Sequence, residues 1–120
     1  METTQTIFTF EYDEYVQGFV VSTGNEEAYL QFCSINNEML FGVDGGYISN
    51  GFTDEMLDEA YNAAEKNKEV MHIEKMFRCI YADDKKTEAF NELRARQGFI
   101  HSYQIEEIAG NMTNEGSCIS

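Results

Sequence analysis

A chain of 120 residues with 42% hydrophobic and 13% aromatic content carries enough apolar material for one domain with a real core, which excludes intrinsic disorder despite a formal net charge of −14. No apolar run of about 18 residues occurs, so a membrane-spanning helix is excluded. With 22 acidic against 8 basic residues, direct binding to nucleic acid or to an anionic membrane surface is disfavoured, because both draw their affinity from Lys and Arg.

The first half reads as short strands. Ile7–Tyr12 alternates, with Phe8, Phe10 and Tyr12 on one face. Asp13-Glu14 makes a corner, and Tyr15–Ser22 is a second strand. Thr23-Gly24-Asn25 is a turn. Ala28–Ile35 is a third strand, and Asn36-Asn37, which tolerates positive φ, suits a tight hairpin. Met39–Val43 is expected to pair across Asp44-Gly45-Gly46 with Tyr47-Ile48-Ser49.

A helix follows. Thr53 is placed as its N-cap, with Asp54 and Glu55 in the first turn, where the helix dipole favours acids. Leu57, Ala60, Tyr61 and Ala64 form its apolar stripe. Glu69–Tyr81 fits either period; a strand is expected, because Cys79-Ile80-Tyr81 leads into a second helix capped by Asp83 or Asp84. Gly98 ends that helix. Ile100–Ile108 alternates as a final strand, and residues 109–120, rich in Gly, Asn, Ser and Thr, read as a flexible tail. The expectation is therefore a single acidic domain over 1–108 of the α+β class. It has a mostly antiparallel sheet of five or six strands and two helices packed on one face.

Charge is unevenly spread. Residues 1–65 hold 13 acidic residues and no Lys or Arg; residues 66–96 hold all 8 basic residues against 6 acidic ones; residues 97–120 add 3 acids. The three stretches carry net charges of −13, +2 and −3. The densest acidic clusters are Asp13-Glu14, Glu26-Glu27, and Asp54, Glu55, Asp58 and Glu59. Asp54/Asp58 and Glu55/Glu59 are like-charged i,i+4 pairs, each costing about 0.2–0.5 kcal/mol in a helix. Tyr12 and Tyr15 lie beside the first cluster, and tyrosine suits interfaces because it joins an apolar ring to a polar tip. These ten residues are the candidate partner-binding set.

Catalytic and metal motifs are weak. His72-Ile73-Glu74 matches half of a zinc-deaminase signature, but no Pro-Cys-x-x-Cys follows. Asp84-Lys85-Lys86 contains the acid-x-Lys step of metal-dependent nucleases, yet capping explains the Asp. Gly42-Val43-Asp44-Gly45-Gly46 lacks the ending of a phosphate loop. No EF-hand loop or Gly-x-Ser-x-Gly elbow occurs. No metal, cofactor or catalytic residue is assigned. Cys33, Cys79 and Cys118 form an odd, widely spaced set that reads as reduced thiols, and no secretory leader precedes Ile7; both point to a cytoplasmic protein.

The function expected from these features is non-enzymatic: an acidic protein that covers a basic, nucleic-acid-binding surface of a partner protein. Small size, acidity and the lack of cofactor motifs are general traits of phage- or plasmid-encoded counter-defence inhibitors of the anti-CRISPR or anti-restriction type, which include DNA mimics. An immunity protein or antitoxin against a basic nuclease toxin has the same electrostatics. A small enzyme with a carboxylate site and a structural or assembly subunit are the remaining alternatives.

Overall fold

The computed structural model describes residues 6–41, 49–50 and 52–110. Strands β1 (Thr9–Asp13), β2 (Gly18–Thr23), β3 (Glu26–Cys33) and β4 (Glu38–Phe41) form an antiparallel sheet in sequence order, and the two-residue β5 (Ser49–Asn50) also pairs with β3. Helices α1 (Asp54–Ala64), α2 (Lys68–Tyr81), α3 (Asp84–Gln97) and α4 (Ser102–Ala109) follow. The α+β class and the antiparallel sheet are as expected; the helix count is four rather than two.

Alternation fixes the sheet's inner face. Phe10 pairs with Val21, Tyr12 with Phe19, Phe19 with Leu30, and Leu30 with Phe41. Phe19, Val21 and Leu30 are fully buried, and they join the same core as Ile73, Phe77, Ile80, Phe90, Ile100 and Ile105 from the helical half. Phe32 stacks on both Phe77 and Tyr81, with centroids 5.4 and 5.6 Å apart, which locks the end of β3 to α2.

The turns follow the sequence reading. Gly24 takes φ 61° between Thr23 and Glu26, and Asn37 takes φ 61° in the β3–β4 turn. β2 starts at Gly18 rather than Tyr15, because Gln17 adopts φ 53° and its N–H closes the turn onto the Asp13 carbonyl. Gly18 is required by close approach: a Cβ there would lie 2.5 Å from the Leu30 carbonyl oxygen. The Asp44-Gly45-Gly46 turn lies outside the described residues. Val43, Tyr47 and Ile48 of the expected hairpin lie outside them as well. β4 and β5 each run antiparallel to β3.

Two expected strands are helices. In α2, Val70, Ile73, Met76, Phe77 and Ile80 recur at helical spacing and are buried, while Met71, which the strand pattern would bury, is 47% exposed. The Asn67 side chain caps this helix by accepting the Val70 N–H. In α4, Ile105 and Ala109 are buried one turn apart, and the His101 N–H donates to Gln104 Oε1 at 3.0 Å to start the helix. Ala109 is thus part of the folded unit and not of a tail, while residues 111–120 lie outside the described set.

Caps on the other two helices match expectation. Thr53 accepts the Met56 N–H; Asp83 accepts from Lys85 and Lys86; Gly98 takes φ 80° at the end of α3. Among described residues no helix is long and apolar enough to cross a membrane. Cys33 is a half-buried free thiol, and Cys79 is fully buried.

Candidate functional site: carboxylates at two ends of the sheet

The fold sorts the candidate acids between the two ends of the strands. At one end, the β2–β3 turn delivers Glu26 and Glu27. β5 places Asn50 opposite Glu27, and α1 begins at Asp54. Four residues of chain span at most about 15 Å, which bounds the distance from Asn50 to the first residue of α1. Glu27, Asp54, Glu55, Asp58 and Glu59 are all exposed, and Glu26 is half-buried.

α1 itself explains why its acids face outward. Ala60 and Ala64 are buried, and Tyr61 turns to the sheet, where its hydroxyl accepts the Phe41 N–H at 2.8 Å. The remaining arc presents the acidic residues. No basic residue occupies the last turn of α1 to balance them.

Glu11 and Glu38 extend the acidic character over the outer sheet face, since Phe10, Tyr12 and Met39 point inward. Glu11 shares a row with Val20 and Tyr29. Strand spacing puts it about 12 Å from Glu27, with Glu38 about 20 Å from Glu27 at the far end of β3. These two residues are absent from the sequence-based set, although the alternation that turns Phe10 and Tyr12 inward also turns Glu11 outward.

At the opposite end of the strands, Asp13, Glu14, Tyr12 and Tyr15 are held in contacts within the chain. Asp13 Oδ1 accepts the N–H groups of Tyr15 and Val16 at 2.8 and 3.2 Å and so builds the β1–β2 turn. The Glu14 carbonyl accepts the Ile100 N–H at 2.9 Å, and its carboxylate lies 3.3 Å from His101 Nδ1. Tyr12 points inward and its hydroxyl donates to the Ile100 carbonyl at 2.6 Å. Burial above all, then the Glu14 and Asp13 charges, pushes this phenol far above its ordinary range. Tyr15 alone of the four is strongly exposed, at 70%, with its ring edge-on to Phe99 at 5.8 Å. Phe99, His101 and Tyr103 continue this row of rings, with centroids 5.1 and 5.3 Å apart.

Among ion pairs between described residues, Arg78 to Glu74 at 3.6 Å is the one that joins an arginine to a carboxylate, and it lies within α2. His72 meets Glu106 at 2.9 Å on the helical side. No group of three or more His, Cys, Asp or Glu able to hold a metal ion occurs among the described residues. No protein family, curated protein or solved structure matches this chain.

Proposed function

We propose that this protein is a non-enzymatic acidic binding protein that covers a basic surface of a partner protein, acting as a stoichiometric inhibitor of a nucleic-acid-binding protein. The observation that supports the reading is the exposed acidic set Glu27, Asp54, Glu55, Asp58 and Glu59, with β5 pairing Asn50 to Glu27 four residues before α1 begins. The stretch that builds this end of the molecule contains no Lys or Arg. A negative surface of this kind speeds encounter with a cationic one and discriminates against anionic competitors. A carboxylate array can stand in for a phosphate track, as in DNA-mimicking inhibitors of the anti-CRISPR or anti-restriction type. The ordering of α1 supports the same reading. Its like-charged i,i+4 pairs cost stability and contribute nothing to the core.

Two variants test the proposal: Glu26→Lys with Glu27→Lys, and Asp54→Lys with Asp58→Lys. A partner captured on the wild-type protein and released by a salt step should bind both variants more weakly, with slower association and a shallower salt dependence. Short duplex DNA or RNA should compete for that partner. Glu14→Lys, at the opposite end of the strands, should leave binding close to wild type. Wild-type affinity of both double variants at low salt would remove this surface from the interface. The partner's identity by mass distinguishes an inhibitor of nucleic-acid machinery from an immunity protein bound to a toxin nuclease.

A further inference from the structure

A second region of the molecule has the opposite electrostatic character. Between the β1–β2 turn, the end of β3 and helices α2 and α3 lies a cleft of about 180 Å³ lined by Tyr15, Gln17, Phe32, Tyr81, Phe90 and Arg94, among others. Among the described residues no Asp or Glu lines it, in a chain with 22 acidic residues. We propose that this cleft binds a small aromatic carboxylate, with Arg94 and the Tyr81 hydroxyl holding the carboxylate and the half-buried Phe32 and Tyr81 rings, backed by the buried Phe77 and Phe90, receiving the apolar body.

Each part of the assignment rests on a separate feature. The apolar wall is preformed: Phe32 lies nearly parallel to Phe77 and Tyr81, with interplanar angles of 16° and 11°, and Phe90 stands edge-on to Phe77. Such packed rings give a rigid face on which a further ring stacks at low entropic cost. The charge is supplied by Arg94, whose guanidinium carbon sits 5.6 Å over the Phe90 ring. Among the described residues no carboxylate pairs with Arg94; its polar contact is a long one, 3.4 Å, to Asn91 Oδ1. The Tyr81 hydroxyl likewise has no hydrogen bond to another described residue. Burial raises the Tyr81 phenol above its ordinary range, and the Arg94 charge opposes that rise, which places the two groups within electrostatic reach of each other. The amide nitrogens of Gln17 and Gln31 are spent on the Glu14, Tyr15 and Val16 carbonyls, so they fix the rim and leave Arg94 and Tyr81 as the donors.

Size sets the ligand class. Pockets for drug-sized molecules run from about 300 Å³ upward, so this one takes a single ring with a short acid. The neighbouring cleft of about 330 Å³ between β4, α1 and α2 contrasts with it, because Glu38, Glu65 and Glu74 line it and would repel an anion.

Titration of the full chain with benzoate, followed by amide chemical shifts, tests the inference, with benzyl alcohol as the uncharged probe. Benzoate should shift residues around Gln31, Tyr81 and Arg94. Arg94→Gln, at an exposed position, should weaken binding about tenfold or more, and Tyr81→Phe a few-fold, since hydrogen bonds to charged groups are the stronger class. Arg94→Lys should fall between wild type and Arg94→Gln. Benzyl alcohol binding as tightly as benzoate, unchanged affinity in Arg94→Gln, or shifts mapping to another surface would each overturn the assignment. Both Arg94 variants are checked for wild-type circular dichroism, so a folding defect is not read as lost affinity.

Discussion

The Glu74 carboxylate on α2 accepts the backbone N–H of Met39 on β4 at 2.9 Å, so a helix side chain closes the exposed edge of the sheet. Two residues along, the Phe41 N–H donates to the Tyr61 hydroxyl of α1 at 2.8 Å. Arg78 lies 3.6 Å from Glu74 and donates through Nε to the Asn37 carbonyl, which ties the β3–β4 turn to the same helix. An uncovered edge of this kind is a template for pairing with another chain; here α1 and α2 occupy its donors.

Removing the acceptor should loosen that edge. Glu74→Ala is expected to cost about 1–2 kcal/mol in urea denaturation and to accelerate amide exchange at Met39. Glu74→Gln keeps an acceptor and should lose less. Equal losses in the two variants would mean that the hydrogen bond to Met39 contributes little.

Tyr12 joins β1 to the α3–α4 link through the Ile100 carbonyl. Tyr12→Phe should therefore cost about 1–2 kcal/mol at neutral pH, by loss of a partly buried hydrogen bond. Its folded-state pKa is raised, as are those of Tyr61 and Tyr81, in each case chiefly by burial. A raised folded value means that the native state holds its proton where the unfolded chain has released it. The associated stability is fully present below the ordinary tyrosine value of 10.0 and is lost as pH climbs through and beyond it. Urea midpoints measured between about pH 8 and pH 11 should fall with pH, and the fall should be shallower in Tyr12→Phe. Parallel curves would show that Tyr12 does not contribute to the alkaline loss.

The helical assignment of the last element has its own test. Ile105 is fully buried on α4. Ile105→Ala should cost about 2–4 kcal/mol through the cavity it leaves. Carbon chemical shifts over 102–109 should be helical. Extended values there would restore the strand reading.

α1 offers a test that separates stability from binding. Asp58→Lys replaces a like-charged i,i+4 pair with Asp54 by an attractive one. It should raise stability by about 0.5–1 kcal/mol, from the repulsion removed and the attraction gained. The same variant should bind a basic partner less well. A rise in melting temperature without any loss of binding would place the interface away from α1.

Much of the architecture is legible in the residues themselves. Strict alternation in Phe8-Phe10-Tyr12 and turn chemistry at Gly24 and Asn37 locate the antiparallel sheet, and Thr53, Asp83 and Gly98 mark helix ends, because these are local constraints on φ, ψ and single side chains. Segment 69–81 fits both periods, and Ile100–Ile108 reads as a strand although Ser102–Ala109 is helical, for one physical reason. Short apolar stretches fit periods of 2 and 3.6 alike, and the choice is made by which side chains find a core to enter. In α2 that core is the sheet's inner face, which takes Ile73, Phe77 and Ile80 together and leaves Met71 outside.

By itself, the sequence determined the class of fold, the segregation of every Lys and Arg into residues 66–96, and hence the sign of the surface built by the first half. Which acids meet was decided only in three dimensions. β5 pairing on β3 sets Asn50 opposite Glu27, four residues before α1 begins, while the turn contacts of Asp13 and Glu14 draw them into the chain's own hydrogen bonds. Arg94, which pairs with no carboxylate among the described residues, belongs to the same category. Composition records how much charge a chain carries, but partners are assigned by register and packing, which are long-range properties of the folded chain.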